Sequence, residues 1–166
     1  MNGFRIDAFE FSRLNDSREG TLAVGELERL KEELADESGT LEWALQGGTD
    51  KYGNAQLKMH VAGHVHLRCQ RCLGSLPFDI DSDTTLILAA DEGKADDIEE
   101  MIDDESIDVI VGSKSFDMLA LIEDDALLAL PLAPMHDVCP DPEAQELLAG
   151  SEKPSPFAIL KSLKKE

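Results

Sequence analysis

The chain has 166 residues, enough for one domain with a substantial core. Its formal net charge of −20, from 15 basic and 35 acidic residues, excludes broad binding to duplex nucleic acid, which needs clustered Lys and Arg. No apolar run approaches the length of a membrane span and no signal peptide opens the chain, so we expect a cytoplasmic protein with reduced thiols. An acidic chain is steered toward basic partners, although surface charge also serves solubility alone.

The first 35 residues predict a strand, a loop and a helix. Residues 4–11 alternate apolar and polar side chains, which is typical of a half-buried strand, and residues 15–20 predict a loop. A helix is predicted over residues 21–35, with Thr21 as a possible N-cap. Its apolar face would carry Leu27, Leu30 and Leu34.

The middle of the chain predicts a set of strands. Residues 40–47 and the longer run 55–68 alternate apolar and polar side chains, and residues 78–89 return in the same pattern. The second and third of these runs would pair as a hairpin. Gly63 predicts a bulge or a sharp twist, and residues 107–111 predict a short strand.

An acidic tract separates the last two strands. Ten of the residues in 91–108 are Asp or Glu and one is Lys, which predicts a solvated loop at about 91–106. The tract lacks the Gly and the ligand spacing of an EF-hand, so a calcium site is not favoured. A helix is predicted over 115–130, capped by Ser115 and ended by Pro131.

These elements predict an α+β fold. We expect an antiparallel β-sheet, which could be barrel-like, with two main helices packed on it and a flexible C-terminal tail. The single domain would span residues 1–140, and residues 141–166 would form the tail. The tail ends in a short basic amphipathic segment, 157–165, which could dock on the acidic domain or bind a partner.

Two short motifs, far apart in sequence, carry the strongest chemical signal. Cys69-x-x-Cys72 and His136-x-x-Cys139 contain all three cysteines and one of the four histidines. Thiolates and imidazole favour zinc over a hard cation, and four such ligands complete a tetrahedral site. The sequence therefore predicts a metal site that ties the middle of the chain to its C-terminal third.

Other interpretations of the cysteines remain open at this stage. Buried cysteines are common in protein cores without any metal. A thioredoxin-type redox pair is less favoured, because a turn rather than a helix follows Cys72. A zinc deaminase is disfavoured, since His-x-Glu and Pro-Cys-x-x-Cys are both absent.

A second metal hypothesis concerns three histidines on one face of the 55–68 strand. His60, His64 and His66 could converge on an ion, but a solvated polar strand face explains them equally well. The sequence near them offers no carboxylate to orient the rings. No phosphate-binding glycine loop, Gly-x-Ser-x-Gly or His-Glu-x-x-His motif is present, so no enzyme class is supported.

Three motifs in this order resemble the YceD family, the large ribosomal RNA subunit accumulation proteins. They are Cys69-Gln70-Arg71-Cys72, the stretch 123–137 with Cys139 behind it, and Lys153-Pro154-Ser155-Pro156-Phe157-Ala158-Ile159-Leu160. The resemblance covers most of the chain. It implies a non-enzymatic cytosolic factor that is needed for normal levels of 23S rRNA and takes part in assembly of the large ribosomal subunit.

The resemblance and the acidic charge together predict the kind of partner. We expect a basic ribosomal protein or a large-subunit assembly factor, with indirect contact to rRNA and no contact with membrane. The few positions suited to direct phosphate contact are Arg68, Arg71, Lys161, Lys164 and Lys165. The alternative is a cytosolic zinc-binding or thiol redox-switch protein that uses Cys69 and Cys72.

Overall fold

The computed structural model describes residues 2–140. Within this range the chain forms seven strands and four α-helices. In chain order they are β1 (Arg5–Ile6), α1 (Ala8–Arg13), β2 (Ser17–Ala23), α2 (Glu28–Glu33), β3 (Thr40–Thr49), β4 (Ala55–Arg68), β5 (Ser75–Ala89), α3 (Glu92–Met101), β6 (Ile107–Val111), β7 (Phe116–Asp117) and α4 (Met118–Leu128). None of the helices in this part of the chain is long and apolar enough to cross a membrane.

The centre of the structure is a five-stranded sheet in the order β2-β3-β4-β5-β6. Its neighbours pair antiparallel, except that β6 runs parallel to β5. The sheet is open, with β2 and β6 at its edges, so a closed barrel is not observed among the described residues. The predicted α+β class and the mainly antiparallel sheet are confirmed. Strands β1 and β7 form a separate antiparallel pair.

The N-terminal predictions were only partly right, because β1 and α2 fall inside the predicted strand and helix while most of the other residues in these ranges adopt a different structure. Residues 8–13 form α1 instead of a strand, because the Asp7 side chain accepts hydrogen bonds from the N–H groups of Phe9 and Glu10 and so caps a helix. The predicted 15–20 loop and the start of the 21–35 helix are occupied by β2, which pairs with β3 along its whole length. Pairing across the sheet thus outweighs local helix propensity.

The leucines assigned to the first helix are nevertheless core residues. Leu27, Leu30 and Leu34 are all buried, but only the short helix α2 lies between the first and the last of them. Each of the helices α1, α2 and α4 contributes to the same apolar core as the inner face of the sheet. Helix α1 contacts β3 and β4, and α4 contacts β4, β5 and α2.

The three long central strands agree with the sequence pattern. Buried and exposed positions alternate along β3 and β4, and β4 and β5 pair without interruption from Ala55 to Arg68. The predicted bulge at Gly63 was wrong, since the register of β3 and β4 is continuous there. Gly63 instead permits a close approach, because a Cβ at this position would collide with the Thr40 carbonyl.

The acidic tract is not the loop that its composition predicted. Helix α3 occupies most of 91–106, and Asp91 caps it by accepting a hydrogen bond of 2.9 Å from the Lys94 N–H. None of its residues is buried. The second main helix is confirmed as α4, but its N-cap is Asp117 and not Ser115. Residues 141–166, including the predicted tail and its basic segment, lie outside the described residues, so the proposed domain boundary stays a prediction.

Candidate metal centre and its surroundings

The two Cys/His motifs come together at the tip of the β4–β5 hairpin. Cys69 and Cys72 lie in the connection that follows β4, while His136 and Cys139 lie in the segment that follows α4. The ligand atoms of all four residues lie within 4.8 Å of one another. The sequence identified all four members of this group, although 63 intervening positions separate Cys72 from His136.

The hairpin connection is a tight turn closed by two backbone hydrogen bonds. The Leu73 N–H donates to the Cys69 carbonyl and the Cys69 N–H donates to the Gly74 carbonyl, both at 2.9 Å. Leu73 adopts a left-handed conformation with φ of 60°, which costs a non-glycine residue energy and is held here by the surrounding bonds. A Cβ on Gly74 would lie 3.3 Å from Cys72 Sγ, so glycine leaves room beside the ligand atom.

Backbone hydrogen bonds fix the second segment against this turn. The Gln70 N–H donates to the Pro134 carbonyl at 2.9 Å, and the Gln70 side-chain amide reaches the Leu132 carbonyl at 3.4 Å. The His136 N–H points at Cys69 Sγ, 3.4 Å away. Pro131 and Pro134 follow the end of α4 at Leu128 and cannot continue the helix, so the chain leaves it before it passes the turn.

The hydrogen bonding of His136 selects which ring nitrogen faces the cysteines. Its Nε2 lies 2.9 Å from the Ser75 carbonyl oxygen, and a carbonyl can only accept, so Nε2 carries the proton. In the neutral ring Nδ1 then has a free lone pair, and this atom lies 3.4 Å from Cys72 Sγ. Protein carbonyls commonly orient metal-binding histidines in this way.

The separation of the Cys72 and His136 ligand atoms fits a tetrahedral zinc site. With Zn–S bonds of about 2.3 Å and Zn–N bonds of about 2.0 Å, neighbouring sulfur and nitrogen ligands should lie about 3.5 Å apart. The observed Cys72–His136 separation of 3.4 Å is close to that value. Cys69 and Cys139 are buried and the other two residues are half-buried, so four potential ligands lie together with little access for a further one. Such a closed set is typical of a structural site, because a catalytic zinc keeps one position open.

The local electrostatics distinguish the two buried thiols. Burial opposes ionisation of Cys69, but hydrogen bonds from the backbone N–H groups of Cys72, His136 and Arg71 outweigh it and lower the pKa of Cys69 from 9.0 to about 5. Burial, followed by interactions with Cys72 and Cys69, raises the pKa of Cys139 to about 11. The first thiolate is therefore stabilised by the turn, and a further thiolate beside it is opposed unless a cation is present.

The histidines of β4 form pairs with carboxylates and do not converge. His60 Nδ1 lies 2.9 Å from Asp83 Oδ1, His64 contacts Asp79, and His66 Nδ1 lies 3.5 Å from Asp36 Oδ2. The expectation that no carboxylate accompanies these rings was wrong, because Asp79 and Asp83 lie opposite on β5. His60 also groups with Asp81 and Asp83, but both carboxylates are highly exposed.

One important group was missed from the sequence. Glu123 opens an acidic triplet, residues 123–125, which charge alone would place in solvent, but its side chain is buried beneath α2. Its carboxylate accepts hydrogen bonds from the backbone N–H groups of Arg29 at 2.7 Å and Leu30 at 3.1 Å, and pairs with the Arg29 guanidinium at 2.9 Å. It therefore caps α2 from another helix, where Leu27 at the N-cap position offers no acceptor.

A second buried carboxylate follows two residues later. Asp125 accepts a hydrogen bond of 2.5 Å from the Thr84 hydroxyl on β5. Only Asp124 of the three consecutive acidic residues faces solvent, and it pairs with Arg29 at 2.6 Å. The acidic triplet thus joins α4 to α2 and to the sheet, next to the segment that enters the metal cluster.

The surface around the cluster is apolar with a few charges. A groove of about 460 Å³ borders Cys69 and runs between the end of α2 and the end of α4. Large exposed apolar side chains surround it, including Leu73 and the fully exposed Leu132. Of the predicted partner-binding residues, Arg68 and Arg71 are exposed at this hairpin tip, whereas Lys161, Lys164 and Lys165 lie outside the described residues.

The fold and the site define an acidic α+β protein in which a hairpin tip and a distant C-terminal segment assemble a Cys₃His cluster. Comparison with known proteins identifies its family. The family described as "Large ribosomal RNA subunit accumulation protein YceD" matches residues 57–164, which contain the whole cluster. The chain belongs to this family.

A named relative extends the similarity to most of the chain. A protein of Haemophilus influenzae (strain ATCC 51907 / DSM 11121 / KW20 / Rd), named "Large ribosomal RNA subunit accumulation protein YceD", is 30% identical over 155 residues. The alignment covers 89% of this chain and 87% of the relative. No solved structure is significantly similar to the chain.

Proposed function

We propose that this protein is a non-enzymatic cytoplasmic factor that supports 23S rRNA accumulation and the assembly of the large ribosomal subunit. The observation that carries the proposal is membership of the YceD family over a region that includes both Cys/His motifs. The name of the Haemophilus influenzae relative, at 30% identity over most of both chains, supports the same role.

The acidic charge of the chain favours a protein partner over direct binding to RNA. The net charge of −20 opposes phosphate, whereas the exposed acidic helix α3 offers a surface suited to a basic ribosomal protein or a basic assembly factor. Arg68 and Arg71 are the cationic positions at the hairpin tip where rRNA could be touched. Lys161, Lys164 and Lys165 would add to that contact.

We further propose that Cys69, Cys72, His136 and Cys139 hold one structural zinc ion. The carbonyl-bound His136 ring, the S–N spacing and the closed set of four ligands support this assignment. Bound zinc would fix the segment after α4 to the hairpin tip and so keep Arg68 and Arg71 in place beside it.

The thiol redox switch is the second candidate for the same cysteines. The lowered pKa of Cys69 favours it, because thiolates react and thiols do not. Burial of Cys69 opposes it, since an oxidant must reach the sulfur. Alkylation of the native protein separates the two roles: a zinc staple predicts protected thiols that react only after chelation, and a switch predicts immediate reaction at Cys69 or Cys72.

The ribosomal role is tested by replacing the chromosomal gene in the source organism. Loss of the protein should lower the ratio of 23S to 16S rRNA, and the wild-type chain should restore it. The double variant Arg68→Glu/Arg71→Glu should restore it poorly, whereas the matched control Arg13→Glu, an exposed arginine on α1, should restore it fully. An unchanged rRNA ratio in the deletion strain would contradict the proposed function.

Partner identity follows from a crosslinked pull-down with the full chain at two salt concentrations. Large-subunit proteins that are recovered at low salt and lost at high salt support an acidic adaptor. Recovery of rRNA after those proteins have been removed would instead support direct RNA contact through the arginines.

A further inference from the structure

The groove beside the Cys₃His cluster is an apolar surface that the described residues leave uncovered. Six leucines line it, together with Pro131 and Pro134: Leu34, Leu67, Leu73, Leu127, Leu130 and Leu132. Leu73 is 71% exposed and Leu132 is completely exposed. Exposed leucines that line the same groove present apolar surface to water, which is typical of a contact surface.

The charges on the groove select a basic occupant. Glu32 and Glu33, both exposed at the end of α2, lie on its rim, and Arg68 is the single cationic residue among those that line it. An occupant with an apolar face and several positive charges would therefore match both the leucines and the net negative rim. An acidic amphipathic segment would be repelled by the same rim.

The chain supplies one segment with these properties. Residues 157–165 carry Phe157, Leu160 and Leu163 at three-residue spacing, with lysines between and after them. The other apolar stretch beyond Pro140, residues 143–149, contains two glutamates and no basic residue, so the charge argument excludes it.

The position at which the described chain ends also favours this segment. Pro140 follows Cys139, whose sulfur lies within 4.8 Å of the Cys69 sulfur, and Cys69 itself lines the groove. Residues 141–156 separate Pro140 from Phe157, and 16 residues can span up to about 50 Å. The segment can therefore reach any part of the groove, and tethering raises its effective concentration there.

We propose that residues 157–164 dock in this groove within the same chain, with Lys161 and Lys164 beside Glu32 and Glu33. Docking buries the exposed leucines and neutralises the acidic rim. It also places the basic segment next to the hairpin tip. Glu32 and Glu33 then compete with any external anion for the lysines. This contact goes beyond the proposed ribosomal role and does not depend on it.

Photo-crosslinking in the full-length protein tests the contact. Leu132→p-benzoylphenylalanine places the probe on the fully exposed groove residue, and Leu14→p-benzoylphenylalanine places it on a 60% exposed leucine near the opposite end of the sheet. We expect the probe at 132 to form crosslinks to peptides from 157–164, and the probe at 14 to form none. Absence of such crosslinks from 132, or equal yields from both probes, would overturn the proposal.

Isotope mixing separates a contact within one chain from a contact between two copies. When ¹⁵N-labelled and unlabelled chains are mixed before irradiation at low micromolar concentration, docking within the chain gives crosslinked peptides of one isotope only. A predominance of mixed pairs would show that a second copy occupies the groove, which contradicts the proposal.

Charge reversal tests the orientation of the segment. Glu32→Lys/Glu33→Lys should lower the crosslink yield by roughly three- to tenfold, because two favourable exposed charge contacts become repulsive. The matched control Glu28→Lys changes an exposed glutamate of the same helix that does not line the groove, and it should leave the yield unchanged. Circular dichroism confirms that both variants fold, and equal yields in both would contradict the assigned rim contact.

Discussion

The two ends of the β4–β5 hairpin are stabilised by different kinds of interaction. At its base, Leu57 is paired with Leu86, and these leucines are buried together with Leu88 in the apolar core. At its tip, the chain turns through Cys69 and Cys72 and is held by backbone hydrogen bonds and by contacts with His136 and Cys139. The base therefore depends on apolar burial, which is insensitive to metal and redox state.

The tip carries exposed leucines where the base carries buried ones. Among the described residues Leu73 and Leu132 are exposed, so apolar burial contributes less to the tip than to the base, and the proposed docking of residues 157–164 would add to it. The proposed metal ligation would stabilise the tip, where apolar burial contributes less. The comparison separates perturbations that act through the metal from perturbations that act through the core.

The largest effect should come from removing the metal. Stripping zinc with a strong chelator should lower the free energy of unfolding by about 4 kcal/mol, the linkage expected when free metal had been at roughly 1,000 times its Kd. Amide hydrogen exchange should show lost protection at Gln70 and His136 and retained protection in the core of β4. Elemental analysis should find one zinc per chain.

The Cys72→Ser variant provides the control for that measurement. It should contain no stoichiometric zinc, and its denaturation curve should not respond to the chelator. If the purified wild-type protein contains no metal, and if its stability is as insensitive to the chelator as that of Cys72→Ser, the cluster is not a metal centre.

Truncation of a core side chain should have the next largest effect on stability. It should act on the base of the hairpin and leave metal binding at the tip unchanged. Leu57→Ala removes a fully buried side chain at the base and should cost about 3 kcal/mol of unfolding free energy. Zinc content should remain at one per chain, because the tip is formed by other residues. Denaturant titration measures the loss of stability, and elemental analysis measures the zinc content. Loss of zinc in this variant would show that the base and the tip of the hairpin are one cooperative unit.

Loss of the Glu123 carboxylate should cost somewhat less. Glu123→Ala leaves the Arg29 and Leu30 N–H groups without their acceptor and should cost about 2 kcal/mol. The matched control Asp124→Ala removes an exposed partner of the same arginine and should cost less than about 1 kcal/mol. Equal costs would indicate that the salt bridge, and not the helix cap, is the important contact.

Glu123 also predicts a pH dependence. Burial opposes ionisation of Glu123, but hydrogen bonds from Leu30 and Arg29 outweigh it and lower the pKa of the carboxyl below its ordinary 4.5. A lowered pKa contributes stability that is present above the unfolded value and is lost as the pH falls through the folded value. The stability difference between wild type and Glu123→Gln should therefore narrow below about pH 4.5, and a difference that stays constant down to pH 3 would contradict this.

The smallest effect should come from the outer face of the hairpin. His60→Ala removes an exposed ring paired with Asp83 and should change the unfolding free energy by less than about 0.5 kcal/mol. Zinc stoichiometry should be unchanged. A second equivalent of tightly bound metal that is lost in this variant would show that His60, Asp81 and Asp83 form a metal site in their own right.

Local patterns in the sequence predicted the parts of the fold that depend on one residue and its near neighbours. The alternation along β3 and β4 and the apolar residues of α4 identified these elements, and the Cys/His spacing identified all four cluster residues. These signals work because side-chain period and ligand chemistry are properties of short stretches.

Tertiary structure decided the features in which distant groups compete with local preference. Residues 17–23 are a strand because β3 pairs with them, although their neighbours favour a helix. Glu123 is buried because α2 begins without an acceptor of its own and α4 supplies one across 93 intervening positions. The sequence alone determined which residues could bind metal, but only the tertiary structure brought them within bonding range and oriented the His136 lone pair, because contacts between distant segments depend on how the whole chain packs.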